Sequence, residues 1–132
     1  MGKANIDKKQ RGDPQNHLPL TPVTLNLLLA LADEERHGYG IMLEVGERTG
    51  KKPGPGTLYT SIKRLVSGGL IEESGERPAP ESDDERRRYY RLTGFGARVL
   101  AAEVGRLEAT VRAARSKGAY PAPNPRTAME PA

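Results

Sequence analysis

Apolar positions recur at helical spacing in four segments of the chain, and glycines, prolines or acidic clusters interrupt them. Residues 1–17 (MGKANIDKKQRGDPQNH) are polar and show no period, which predicts a flexible N-terminal arm. Leu25, Leu28, Leu29 and Ala32 then line one helical face, predicting a first helix over 22–32 with Thr21 as cap and Pro22 at its first position. Ile41, Met42 and Val45 predict a second helix over 39–49, stopped by Gly50. The stretch PGPGTLYTSIKRLVSGGLI, residues 53–71, predicts a third. Gly54 caps it, Pro55 opens it and Gly68-Gly69 closes it.

Two short β-prone runs follow, 70–74 and 87–93, and read as a hairpin. The segment between them, GERPAPESDDER, is long for a hairpin loop and is expected to be mobile. Residues 94–116 form a last, long amphipathic pattern. Leu100, Val104, Leu107, Val111 and Ala114 step by four and three along it, a heptad-like seam suited to dimerisation. The Pro/Ala-rich tail from Gly118 onward is expected to be disordered.

The order helix, helix, helix, hairpin, long helix predicts a mainly α fold with a small β-hairpin. This is a winged helix-turn-helix domain with a long C-terminal dimerisation helix. The expected division is arm 1–17, winged domain 18–93, dimerisation helix 94–117 and tail 118–132.

Composition narrows the chemistry. At 132 residues one domain is expected. Cysteine is absent, which excludes disulfides, thiolate metal sites and cysteine nucleophiles, and fits a reducing compartment. No apolar run approaches a membrane span, so a cytoplasmic protein without membrane partners is expected. The two histidines, His17 and His37, lack companions for a metal site. No nucleophile–base set and no phosphate-cradling glycine loop stands out, so neither enzyme activity nor a cofactor is expected.

The net charge of +4 is moderate, but its distribution is informative. Arg48, Lys51, Lys52, Lys63 and Arg64 form one acid-free basic block, and Arg86, Arg87, Arg88, Arg91 and Arg98 form another. Between them lies an acidic insert that includes Glu81, Asp83, Asp84 and Glu85. Such a pattern suits a polyanion or, equally, ordinary solvated charge.

At about 100° per residue, Leu58, Ile62 and Leu65 share one side of the third helix. Gly56, Thr60, Lys63 and Arg64 lie opposite, with Thr57 and Tyr59 on the flanks. This outer face offers cations, hydroxyls and a phenol without an acid, a set able to donate to bases and phosphates. Lys51 and Lys52 on one edge and Arg86, Arg87 and Arg88 on the other would anchor the backbone. Tyr89 and Tyr90 alternate across their strand, so one faces the core and the other the surface, in an order the pattern leaves open.

HGYGIMLEV, PGTLYTSIKRLVSGGLI and RRRYYRLTGFG, in that order, resemble the PadR family of bacterial transcription regulators, over roughly residues 20–116. The resemblance implies a homodimeric repressor that binds double-stranded DNA, with the last helix as dimer element, and it permits a small-molecule effector. Thr60 stands where the family usually has proline, and Gly54 where serine is frequent, which weakens the third helix's cap by a few tenths of a kcal/mol. The acidic wing tip is expected to swing clear of DNA. The alternative reading is a winged-helix protein-interaction module without sequence-specific DNA binding.

Overall fold

The computed structural model describes residues 12–79 and 82–122, with side chains omitted for 78–86. A 3₁₀ turn, Pro14–His17, precedes four helices and three strands. The helices are α1 (Pro22–Ala30), α2 (Gly38–Thr49), α3 (Pro55–Ser67) and α4 (Gly94–Ser116). The strands are β1 (Arg36–His37), β2 (Ile71–Ala79) and β3 (Ser82–Leu92), in the antiparallel order β1-β3-β2. This is the expected winged helix-turn-helix arrangement with an additional short strand. Among the described residues no helix is long and apolar enough to cross a membrane.

Local chemistry sets the helix ends. The Thr21 hydroxyl accepts from the Thr24 amide at 3.2 Å and opens α1. Gly50, at φ 81°, closes α2. At the end of α3, Gly69 takes φ 77°, its amide donates to Val66, and the Leu70 amide reaches back to Leu65 at 3.0 Å. That paired closure satisfies carbonyls the helix would otherwise leave open. Leu27, Leu28, Ile41, Leu58, Ile62 and Ile71 then pack with Tyr90, Phe95 and Val99 in one buried core.

The wing differs from its sequence expectation. Its strands were expected over 70–74 and 87–93 with a long loop between; instead the ladder runs from Ile71↔Leu92 to Ala79↔Ser82. Gly75, read as a loop residue, sits at φ 123° beside a bulge at Ser74 and lets the strand continue. The N-terminal expectation also changes at its inner end. Pro14–His17 packs against α4, and the His17 ring meets Phe95 edge-on at 5.2 Å. Buried Glu103 of α4 accepts from the Leu20 amide at 3.2 Å and from Arg106 at 2.6 and 3.0 Å, tying this segment to the helix. Residues 1–11, including Lys8, Lys9 and Arg11, and residues 123–132 lie outside the described residues, as do the side chains of Glu81, Asp83, Asp84, Glu85 and Arg86.

Candidate nucleic-acid interface

α3 buries Leu58, Ser61, Ile62 and Leu65 and exposes Gly56, Thr57, Tyr59, Thr60, Lys63 and Arg64. The face inferred from helical period is therefore the face presented to solvent. Lys51 and Lys52, in the turn from α2 to α3, are exposed beside its start. The Lys52 stem lies so close to Gly46 that a Cβ there would sit 2.6 Å from Lys52 Cγ. The Lys52 stem thus packs against α2 at Gly46.

The wing approaches α3 from the other side. A cleft of about 510 Å³ between them is lined by residues that include Tyr39, Tyr59, Tyr90, Arg87 and Arg88. Tyr90 is the buried member of the tyrosine pair, and burial pushes its hydroxyl pKa up. Tyr89 lies on the other face under the Arg77 guanidinium, 4.0 Å from the ring centroid. Tyr39, 55% exposed at the start of α2, joins this surface without having been singled out by sequence. Its only sequence signal was its place in the HGYG turn. His37 caps α2, its Nδ1 accepting from the Gly40 amide at 3.1 Å. Its Nε2 lies 3.1 Å from Arg87 Nη1.

The cations divide into two groups. Arg88 lies 2.6 Å from Glu73 and 3.8 Å from Glu76, and Arg91 lies 3.0 Å from Glu72. Glu73 and Glu76 are three apart, so a regular strand would send them to opposite faces. The extra residue at the Ser74 bulge places both on the face that carries Arg88. Lys51, Lys52, Lys63 and Arg64, by contrast, have no carboxylate within ion-pair distance among the described residues. These four cations lie on α3 and the turn before it.

The seam expected to serve dimerisation is split. Leu100 is buried in the chain's own core. Val104 is 42% and Val111 37% exposed, with Leu107 half-buried between them and Ala114 half-buried beyond, so the seam's outer turns lack full cover within one chain. No group of three or more histidines, aspartates or glutamates among the described residues is arranged to hold a metal ion.

Residues 27–102 match the model of the transcriptional regulator PadR-like family. The transcriptional regulator Rv3488 of Mycobacterium tuberculosis is 37% identical over 90 residues, covering 68% of this chain and 79% of the relative. Among solved structures, a PadR family transcription regulator from Clostridium difficile aligns with a TM-score of 0.63 at 25% identity, covering 73% of this chain and 97% of that one. Bacillus subtilis PadR, solved in complex with operator DNA, shares the fold with a TM-score of 0.56 at 21% identity. That alignment spans 64% of this chain and 47% of the other.

Proposed function

The chain belongs to the PadR-like family of transcriptional regulators, and from that premise we propose that it is a homodimeric repressor that binds a pseudo-palindromic operator in double-stranded DNA. The observation that carries this reading is the outer face of α3, where Lys63 and Arg64 stand beside Thr57, Tyr59 and Thr60 with no carboxylate partner among the described residues. An α-helix fits the major groove, and these side chains donate to guanine, to phosphates or pack on a thymine methyl. Gly56 leaves room for close backbone approach. Lys51 and Lys52 hold the phosphates at one edge, and Arg86 and Arg87, in the outer half of the wing, hold them at the other, while Arg88 stays paired with Glu73 and Glu76.

Two copies associate through the outer turns of α4, burying Val104, Leu107 and Val111. A two-fold pair of α3 helices then meets two half-sites about 34 Å apart, one turn of DNA. Bound across a promoter, such a dimer represses by occupying it. The protein acts in the cytoplasm, where DNA is accessible in a bacterial cell.

Alanine at Thr60, Lys63 and Arg64 together tests the reading. The variant should lose discrimination between operator and unrelated DNA while its dimerisation and thermal midpoint persist, because all three side chains are exposed. Undiminished discrimination would remove α3 from the reading role.

A further inference from the structure

A second cleft, also about 510 Å³, opens between α1, α2 and the start of α3, within the usual size of small-ligand sites, about 300–1,000 Å³. Its aliphatic lining comprises Val23, Leu27, Ile41, Val45 and Leu58, of which Val23 is the most exposed. Lys51 and Lys52 are exposed at its edge, and no acidic residue among those described lines it. The Lys52 stem packs against Gly46 beside it. An apolar trough with two uncompensated ammonium groups at one end has the complementarity of an amphiphile with a single anionic head.

We propose that this cleft is an effector site for a free alkyl carboxylate, with its chain along Val23 and Val45 and its head on Lys51 and Lys52. A sugar or nucleotide would leave the aliphatic lining without a partner, and an uncharged alkane would leave the lysines without one. The site also touches Thr57, at the first turn of α3. A carboxylate there competes with DNA phosphate for the same two ammonium groups, so ligand and operator oppose each other, and by linkage each weakens the other equally. This antagonism rests on the DNA reading of α3, whereas ligand binding itself does not.

The test is calorimetric titration of the full chain with octanoate, decanoate and decanol below their aggregation concentrations, with operator release measured separately. Each buried methylene tightens binding about four-fold. Decanoate should therefore bind about fifteen-fold tighter than octanoate, and decanol at least ten-fold weaker than decanoate. Val23→Glu places an acid in the lining, outside the proposed DNA contacts. It should weaken decanoate at least ten-fold while the thermal midpoint holds. Val23→Phe, which fills the trough without charge, is the second variant and should weaken decanoate alike while operator affinity holds. Equal binding of decanol and decanoate, or variants that bind decanoate like the parent chain, overturns the site. So does a failure to bind decanoate by a chain whose dimerisation weakens on Val23→Glu, which would make the trough an interface between copies. Operator binding without any decanoate binding refutes this inference and leaves the DNA reading standing. Decanoate binding by a chain that holds no DNA supports the site and refutes the DNA reading.

Discussion

Arg88 Nε lies 2.6 Å from Glu73 Oε1, across the wing from the residue that the Ser74 bulge turns toward it. Both side chains are about half exposed, so the pair adds little to stability. Its consequence is electrostatic: the guanidinium beside α3 is already matched by carboxylate before any phosphate arrives. Replacing Glu73 and Glu76 by glutamine should release Arg88 to the DNA backbone. Non-specific affinity should rise, and the slope of log affinity against log salt should steepen by about 0.9, one more phosphate contact. Arg88→Gln in the parent chain should change that slope far less. A slope unaltered by the glutamine pair would mean that Arg88 makes no phosphate contact.

Of the described glycines, Gly96 leaves the least room for a side chain. A Cβ at this position would stand 1.9 Å from the Leu70 carbonyl oxygen, which also accepts from the Thr93 amide at 3.0 Å. Alanine favours a helix interior over glycine by about 1 kcal/mol. Here the clash meets main chain, which cannot swing aside, so overpacking dominates. Gly96→Ala should destabilise the protein by about 3 kcal/mol in urea unfolding. A neutral or stabilising result would show that the junction between the wing and α4 yields more readily than its geometry indicates.

The outer turns of α4 supply the third prediction. Val104 and Val111 are partly exposed in the single chain, and glutamate at both should leave the winged domain folded while preventing association. Sedimentation should then shift from dimer to monomer, and operator affinity should fall steeply because two half-sites are no longer engaged together. A doubly substituted chain that remains dimeric would move the interface elsewhere.

Acid should destabilise the protein through carboxylates that the fold keeps ionised. The hydrogen bond from Arg106 holds buried Glu103 below the usual glutamate range, aided by the charge of Arg106 and the Leu20 amide. The hydrogen bond and charge of Arg48 do the same for Glu44. A carboxyl group with a lowered folded pKa contributes stability at neutral pH, and that contribution is lost as pH falls from the ordinary glutamate value, about 4.3, through the folded one. The thermal midpoint should therefore be steady between about pH 6 and 8 and drop below about pH 5. Glu103→Gln should lower the midpoint at neutral pH and flatten the acid limb. An acid limb equally steep in the variant would exclude Glu103 as a contributor.

The helices were legible because their signals are local. Thr21, Pro22, Gly50, Pro55 and Gly69 act within a turn of where they stand, and the buried side of α3 follows from a period of three and four. The outward set Thr57, Thr60, Lys63 and Arg64 followed from the same period. The wing was harder, since its length depends on a bulge at Ser74 that a glycine-containing acidic stretch does not announce. The convergence of Glu73 and Glu76 on Arg88 was hidden for the same reason, because it exists only through cross-strand register. β1 is two residues, Arg36–His37, too short to leave a pattern. The contact of His17 with Phe95 joins residues far apart in sequence, and local polarity alone assigned His17 to a free arm.

The most direct test of the central claim is selection of bound fragments from genomic DNA of the source organism, at several salt concentrations, followed by sequencing. The account predicts enrichment of a two-fold motif with half-sites about one helical turn apart. It also predicts affinity that falls steeply with salt as phosphate contacts are lost. Fragments enriched without any shared motif, or no binding even at low salt, would contradict it and turn the exposed face of α3 toward a protein partner instead.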